Sequence, residues 1–284
     1  EMDRVQLNNG LQMPLLGFGV FQITDLMQCQ EAVANALATG YRLLDTAACY
    51  GNETAVCRAV QKCGIPREQV FLTSKVWIQD AGYEKTMASF EKTLQNLATT
   101  YLDLYLIHMP YGDYHGSWRA MEELYRAGKV KAIGVCNFLP DRLLDLILSH
   151  EIPPAINQIE LHPFCQQQGL RQMMDSYHIQ AMAWAPFAEG KDGIFQHKTL
   201  ERIAAAHGKT PAQVILCWLR QNRIVAIPKS VHLTRIQENY LSNDFTLSQA
   251  EMAQIQQLDR KQGLILDIQS LAEVQRLHDI RFTQ

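Results

Sequence analysis

The segment Asp45-Thr46-Ala47-Ala48-Cys49-Tyr50-Gly51-Asn52-Glu53 joins a strand-like run to a helix-like run and carries several polar side chains. It follows a short apolar run at residues 41–44, typical of a strand, and precedes residues 54–63, which have the apolar spacing of a helix. An Asp at the carboxyl end of a strand, with a Tyr five residues later in the loop, lies where α/β proteins keep their reactive side chains. The stretch therefore predicts a functional site that includes Asp45 and Tyr50.

Two more polar residues close the next two apolar runs of the chain. Lys75 follows residues 70–74, and His108 follows residues 102–107. A phenol with a pKa of about 10 is a poor acid at neutral pH, so a reactive Tyr needs a cation beside it. Because the carboxyl ends of parallel strands meet at one edge, these two residues are predicted to form one active site with Asp45 and Tyr50.

Strand-like and helix-like segments alternate along the chain, after a hairpin signal at Asn8-Asn9-Gly10. The predicted strands are 15–20, 41–45, 70–76, 102–107, 130–135, 155–159, 179–184 and 224–227. The predicted helices are 26–39, 52–63, 83–97, 116–127, 140–149, 167–177, 197–207, 211–221 and 233–241, with one more after residue 248 and a mixed segment from there to residue 284.

Eight strands, each followed by a helix, predict an α/β fold of the (β/α)8 TIM barrel type. We expect one domain over residues 1–284, with the hairpin at its N-terminus and the C-terminal tail over the carboxyl face. The alternative, an open doubly wound sheet, requires a Gly-rich turn between an early strand and its helix. No G-x-G-x-x-G occurs in that setting, which disfavours the alternative.

Composition excludes several classes of function. A net charge of −3 with mixed signs indicates neither a nucleic-acid partner nor a membrane surface. No signal-peptide pattern and no membrane-spanning apolar run are found, so a cytoplasmic protein is expected. The seven cysteines include no C-x-x-C pair, which favours reduced thiols. The histidines lack the spacing of metal ligands, so no metal is expected.

Several motifs, taken together and in this order, resemble those of the aldo-keto reductases. They are the hairpin, Gly17-Phe18-Gly19, residues 45–53, Lys75-Val76-Trp77, Leu106-Ile107-His108, residues 134–138, Asn157-Gln158 and residues 227–230. The resemblance covers residues from about 4 to about 262. It implies a (β/α)8 barrel that binds NADPH across its carboxyl face and reduces aldehydes and ketones. The sequence looks like the bacterial branch that reduces 2,5-diketo-D-gluconate, methylglyoxal and assorted aldehydes.

The resemblance also implies a catalytic tetrad of Asp45, Tyr50, Lys75 and His108. In physical terms, Tyr50 can give a proton to the alkoxide formed by hydride addition to a carbonyl. Lys75 is expected to stabilise the tyrosinate and so depress the Tyr50 pKa, while Asp45 holds Lys75 by an ion pair. His108 can donate a hydrogen bond to the carbonyl oxygen. A buried Asp–Lys pair or a single His at a strand end can also be purely structural.

The residues implied to bind the cofactor lie near four later strand ends. By this resemblance, the side-chain amides of Asn137 and Gln158 hold the carboxamide of the nicotinamide ring. Cys136 lies at a position where Ser is commoner in the family. Trp184 is expected to stack on the nicotinamide ring. The pyrophosphate loop is matched at Pro186 and Phe187, with Glu189 turned away from the phosphates. The 2′-phosphate and adenine positions are matched at Lys229, Ser230, Arg235, Glu238 and Asn239, which favours NADPH over NADH.

The substrate pocket is matched at Phe21, Trp77 and Met109, an apolar wall that suits small carbonyl compounds. The short loop at residues 109–116 predicts an open, permissive site, and the lack of an extra interface segment favours a monomer. Two alternatives stay open. One is an NADPH-binding, redox-sensing subunit with little turnover. The other is an unrelated barrel enzyme with two catalytic carboxylates, for which Glu53 and Glu160 are the candidates.

Overall fold

The computed structural model describes residues 2–284 and begins with an antiparallel hairpin of β1 (Arg4–Gln6) and β2 (Gln12–Pro14). Eight parallel strands then follow one another around a single sheet in chain order. They are β3 (Phe18–Gly19), β4 (Leu43–Asp45), β5 (Phe71–Val76), β6 (Leu104–Ile107), β7 (Ile133–Cys136), β8 (Ile156–Glu160), β9 (Gln180–Trp184) and β10 (Val225–Ala226).

The sheet closes on itself between its first and last strands. Leu16 forms a parallel bridge with Ala226, and the amide of Gly17 donates to the Ala226 carbonyl at 2.8 Å. The predicted (β/α)8 barrel is therefore confirmed. The helices that surround and follow it are α1 (Leu26–Thr39), α2 (Glu53–Lys62), α3 (Tyr83–Leu97), α4 (Tyr114–Arg126), α5 (Pro140–Ser149), α6 (Gln168–Ser176), α7 (Lys198–His207), α8 (Pro211–Gln221), α9 (Leu233–Tyr240), α10 (Gln249–Gln256) and α11 (Leu271–Asp279).

The barrel strands are buried on both faces, which explains why their sequences are continuous apolar runs rather than alternating ones. Leu43 faces the interior of the barrel, together with side chains of the hairpin such as Met13. The next residue, Leu44, packs in the layer between the sheet and the helices. The hairpin thus covers the end of the barrel at which the strands begin, and the carboxyl ends are left for the site.

Two glycines in the first barrel strand are required by close packing. A Cβ on Gly17 would lie 2.4 Å from the Leu43 side chain, and one on Gly19 would lie 2.8 Å from the Ile227 carbonyl oxygen. Both distances are far below van der Waals contact. The backbone can therefore approach β4 at Gly17 and the residues after β10 at Gly19 only because side chains are absent at these two positions.

The C-terminal tail lies over the carboxyl ends of the strands, as predicted. The indole Nε1 of Trp77 donates to the Ile280 carbonyl at 3.0 Å, and Tyr111 donates to the Ile268 carbonyl. The tail contains helix α11, whereas the sequence predicts only a mixed segment there. Its signal was present, since Ser270 caps the helix by accepting from the amide of Glu273 in an S-x-x-E pattern.

Most predicted boundaries agree with the structure to within two residues. Helix α4 begins at Tyr114 rather than residue 116, because Asp113 caps it by accepting from the Gly116 amide at 2.9 Å. The last strand is shorter than its apolar run, since only Val225 and Ala226 pair with β9. Among the helices of residues 2–284, none has the length and hydropathy needed to cross a membrane.

Candidate active site

Lys75 is the centre of the site at the carboxyl ends of β4, β5 and β6. Its side chain is fully buried, and its ammonium group donates to Asp45 Oδ1 at 2.5 Å and to the Thr46 carbonyl at 2.9 Å. The Tyr50 hydroxyl lies 3.3 Å from the same nitrogen. The pairing of β4 with β5 produces this arrangement, because it places Asp45 beside Thr73, two residues before Lys75. The structure therefore brings together three of the four residues of the predicted tetrad.

Burial and charge act against each other in this group. Burial is the largest single influence and disfavours the Lys75 ammonium, but Asp45, Tyr50 and Cys136 together outweigh burial and raise the pKa of Lys75 above its ordinary value. Burial raises the pKa of Tyr50 above its ordinary value, and the charge of Lys75 opposes that rise without overcoming it. Lys75 therefore lowers the Tyr50 pKa as predicted, but burial outweighs this effect and leaves the pKa above its ordinary value. Tyr50 holds its proton at neutral pH.

His108, the fourth residue of the tetrad, follows β6 beside the other three. Its ring meets the Tyr50 ring edge to face at 5.7 Å between centroids, and the Trp77 ring at 4.9 Å. Burial, with a contribution from the Lys75 charge, holds the pKa of His108 well below its ordinary value, so the imidazole is neutral. Its Nδ1 lies 3.6 Å from Cys49 Sγ, a contact that was not predicted.

Several residues that support the tetrad were assigned no such role from the sequence. Gln158 donates to Asp45 Oδ2 at 2.9 Å, so both carboxylate oxygens of Asp45 have a partner. Asn52 accepts from the Thr46 hydroxyl at 2.8 Å and donates to the carbonyls of Val20 and Ile23. These bonds tie the loop that carries Tyr50 to the first barrel strand. The Gly51-Asn52-Glu53 motif was noticed in the sequence, but its partners could not be identified there.

The residues predicted to bind nicotinamide lie at the ends of β7, β8 and β9. Asn137 adopts φ 63° and donates to the His108 carbonyl at 3.2 Å, while its Oδ1 accepts from the Trp184 indole at 2.9 Å. Cys136 is fully buried inside the barrel, where burial raises the pKa of its thiol. Gln158 is predicted to bind the nicotinamide carboxamide, but its amide nitrogen donates to Asp45 in this structure.

The predicted pyrophosphate loop follows β9. Pro186 is buried, and the ring of Phe187 packs against Phe195 at 5.5 Å between centroids. Ala185 and Ala188 adopt positive φ angles of 48° and 53°, so the backbone turns sharply here. Glu189 is exposed, and its carboxylate lies 3.8 Å from the Lys191 ammonium.

The residues predicted to bind the 2′-phosphate and adenine follow β10. Lys229 is exposed and donates to Gln22 at 3.4 Å, while Ser230 is buried and its hydroxyl accepts from the His232 amide at 3.0 Å. Arg235 lies on the exposed side of α9 and forms no ion pair with any residue of the described range 2–284. Further along α9, Glu238 is half-buried and Asn239 is buried.

The predicted substrate wall is partly covered. Trp77 and Met109 are 5% and 4% exposed, because they pack with Leu277 and other side chains of the C-terminal tail. Phe21 is 51% exposed and lies 5.2 Å from the Tyr50 ring, centroid to centroid. The prediction of an open site is therefore wrong on the Trp77 side, where α11 covers the wall. Of the three predicted wall residues, only Phe21 is exposed.

A cavity of about 690 Å³ lies between the barrel and the beginning of the tail. Asn137 and Trp184 line it on the barrel side, and residues 266–269 line it on the tail side. The cavity therefore reaches the two residues that were predicted to bind the nicotinamide ring.

The two candidate carboxylates of the unrelated-barrel alternative, Glu53 and Glu160, have structural partners. Glu53 accepts from Ser74 at 2.8 Å and from Asn96 at 3.1 Å. Glu160 accepts from His162 at 2.7 Å and from the amides of residues 264–266 at the start of the tail. Both are buried and hydrogen-bonded on each oxygen, which disfavours a pair of carboxylates acting together on a sugar.

Comparison with known proteins agrees with the geometry of a barrel oxidoreductase. Residues 15–260 match the model of the aldo/keto reductase family. The glyoxal reductase of Bacillus subtilis is 46% identical over 259 residues, which cover 91% of this chain and 93% of that protein. The 9,11-endoperoxide prostaglandin H2 reductase of Trypanosoma cruzi is 45% identical over 257 residues, 90% of this chain and 91% of that protein.

A solved structure of a Gox0644 variant in complex with NADPH superimposes on this chain with a TM-score of 0.90 and 35% sequence identity. The match covers 94% of this chain and 97% of the Gox0644 chain. The chain belongs to the aldo/keto reductase family, and it is an oxidoreductase of carbonyl groups. The family predicted from the sequence is thereby confirmed.

Proposed function

We propose that this protein uses NADPH to reduce small aldehydes, ketones and dicarbonyls, with Tyr50 as the proton donor. The observation that carries this proposal is the contact of Lys75 with both Asp45 and Tyr50 at the carboxyl edge of the barrel, next to His108. A phenol, a neutral imidazole and a fixed cation around one point are the groups that carbonyl reduction needs.

When bound, NADPH would supply a hydride to the carbonyl carbon. As the new C–H bond forms, the electron pair of the C=O π bond moves to the oxygen, which then takes the phenolic proton of Tyr50. The product is the alcohol, and the phenolate left behind is stabilised by the Lys75 ammonium. A raised Tyr50 pKa is compatible with this role, because an alkoxide is a stronger base than a phenolate. His108 donates a hydrogen bond to the same oxygen and orients it.

The residues present fit NADPH. Lys229 and Arg235 are exposed cations near the N-terminal half of α9, and Arg235 has no carboxylate partner among residues 2–284, so it is available to a 2′-phosphate. Trp184 and Asn137 line a cavity that can admit a nicotinamide ring. The amide nitrogen of Gln158 donates to Asp45, so its oxygen would be the atom left for the carboxamide. Glu189 has Lys191 as a partner, which reduces its repulsion of a pyrophosphate.

The substrate class is inferred from the wall and from the relatives. Trp77, Met109 and the tail present apolar surface opposite the polar groups of the tetrad. Such a site suits compact carbonyl compounds with apolar or no substituents. The similarity to the glyoxal reductase of Bacillus subtilis favours α-dicarbonyls among them. That the protein is a cytoplasmic monomer of one domain stays a prediction from its sequence.

The test is an assay of purified protein with glyoxal, methylglyoxal, an aromatic aldehyde and a keto-sugar, in which NADPH absorbance is followed. We expect turnover of at least one compound, with the dicarbonyls fastest. Quenching of NADPH fluorescence without turnover of any of them would support the redox-sensing alternative. If the protein neither binds NADPH nor turns over a carbonyl compound, the proposal is wrong.

A further inference from the structure

Cys49 directly contacts the ring of His108. It immediately precedes Tyr50 in a short helical turn, residues 48–50. Its Sγ lies 3.6 Å from His108 Nδ1, which is within hydrogen-bond distance for sulfur. The same side chain packs against the apolar cluster that includes Trp77 and Met109. One thiol therefore touches both the neutral imidazole and the wall beside it.

The proton of a neutral imidazole can be on either nitrogen, and its position decides what His108 can do. A neutral ring has one N–H donor and one acceptor nitrogen. Nε2 has no hydrogen-bond partner among residues 2–284, so it is the nitrogen left for a substrate oxygen. To donate to a carbonyl, Nε2 must carry the ring proton, which leaves Nδ1 as the nitrogen that can accept a hydrogen bond from a neighbour.

Cys49 is the group that can give this hydrogen bond. The rings of Tyr50 and Trp77 meet the imidazole edge to face and offer no polar hydrogen to Nδ1. Burial raises the pKa of Cys49 to about 12, so the group is a thiol, with a hydrogen to donate, at neutral pH.

Building on the proposed carbonyl reduction, we propose that Cys49 is a positioning residue whose S–H donates to His108 Nδ1 and keeps the ring proton on Nε2. The turn at residues 48–50 then acts on both groups that donate hydrogen bonds to the substrate carbonyl oxygen, Tyr50 and His108. It carries the Tyr50 hydroxyl directly, and through Cys49 it sets the tautomer of His108.

The first experiment identifies the tautomer without any catalysis. Long-range proton–nitrogen NMR of the uniformly labelled protein is recorded, and the His108 signals are assigned by their loss in His108→Gln. We expect a neutral ring with the proton on Nε2, and a larger share of the Nδ1-protonated form in Cys49→Ala. A proton on Nδ1 in the parent would make His108 the donor to Cys49 and would overturn the proposal.

The second experiment measures the effect on rate. Loss of one weak hydrogen bond is worth roughly a two- to ten-fold change, so kcat/KM of Cys49→Ala for an aldehyde should fall by that factor while NADPH binding is unchanged. Cys49→Ser, which keeps a donor, should recover part of the loss. Cys57→Ala, at a buried thiol on α2, is the control for removing a cysteine and should match the parent.

A double-mutant cycle separates this role from simple packing. In a His108→Gln background, Cys49→Ala should cost no further rate, because the ring through which Cys49 acts is gone. The same loss in both backgrounds would overturn the proposal. If the parent reduces no carbonyl compound, the proposed function fails, yet the NMR experiment still reports the tautomer.

Discussion

Lys75 and Arg235 carry the same charge at the two ends of the proposed cofactor groove, in opposite settings. Lys75 is fully buried and contacts Asp45, Thr46 and Tyr50. Arg235 is exposed on α9 and has no ion-pair partner within residues 2–284. We refer to the surroundings of Lys75 as the proton-transfer end, and to Lys229, Ser230 and Arg235 as the phosphate end.

The difference reflects what each charge must do. A buried ammonium loses its hydration, and only close, complete hydrogen bonding offsets that cost, so the geometry of the proton-transfer end is fixed by the fold. An exposed guanidinium stays hydrated until it binds an anion whose geometry matches its own. Changes at the first end should therefore alter the rate of reaction, and changes at the second should alter affinity and cofactor choice.

The largest effect is expected for Tyr50→Phe. The ring and its packing are kept, so folding and NADPH binding should survive while the proton donor is lost. Since general acid catalysis is worth about 10²- to 10⁴-fold, kcat with a reactive aldehyde should fall by that factor at neutral pH. Tyr50 is a better target than Lys75, because loss of the ammonium leaves the Asp45 carboxylate buried without its charge partner.

Stopped-flow measurement of a single turnover separates chemistry from product release in this test. NADPH affinity, measured by fluorescence titration, serves as the control for the integrity of the groove. If the single-turnover rate falls by no more than about three-fold, the loss is much smaller than that expected for removal of a general acid. Tyr50 would then not be the proton donor.

A smaller effect, of a different kind, is expected for Arg235→Ala. A charge-assisted hydrogen bond to the 2′-phosphate would be lost, so NADPH should bind about ten- to a hundred-fold more weakly and NADH almost equally well. Fluorescence titration with both cofactors measures this. Arg119→Ala, an exposed residue on α4, is the control for the change in net charge. Equal losses for both cofactors would place Arg235 away from the 2′-phosphate and erase the contrast between the two ends.

The sequence was sufficient to predict the barrel and to bring the tetrad together, for a physical reason. Strands buried on both faces leave long apolar runs, and the residues that end them must meet at one edge of a parallel barrel. Asp45, Lys75 and His108 each end or immediately follow such a run. Their proximity therefore follows from strand order alone, without knowledge of any side-chain contact.

Properties that depend on distant packing could not be predicted. The net direction of the Tyr50 pKa shift depends on how deeply its hydroxyl is buried. The cover over Trp77 depends on where a tail about two hundred residues away in sequence returns, as its bond to the Ile280 carbonyl shows. The contact of Cys49 with His108 joins two loops whose relative position only the folded chain fixes.

The smallest effect is expected where the tail is fixed to the barrel, at Glu160. The tail covers Trp77 and Met109 beside the proton-transfer end. Its first amides, at residues 264–266, donate to the Glu160 carboxylate. Burial alone raises the pKa of Glu160, but the hydrogen bonds from His162 and from those amides outweigh burial and hold the pKa below its ordinary value. Glu160→Gln keeps the size of the side chain and presents an NH2 group to donors on one side.

We expect Glu160→Gln to lower Tm by about 2–6 °C and to raise KM for the aldehyde a few-fold, with an unchanged preference for NADPH over NADH. Because the folded-state pKa is lowered, the stabilisation by the carboxylate is present above its unfolded-state value of about 4.5 and is lost as the pH falls through the folded-state pKa. The Tm difference from the parent should therefore be full at neutral pH and shrink as the solution is acidified below that value.

Glu151→Gln, at an exposed ion pair with Arg126, is the matched control and should change Tm little at any pH. A Tm difference that stays constant on acidification would show that the carboxylate charge does not hold the tail, and the cover of the proton-transfer end would then rest on the apolar packing of α11 alone.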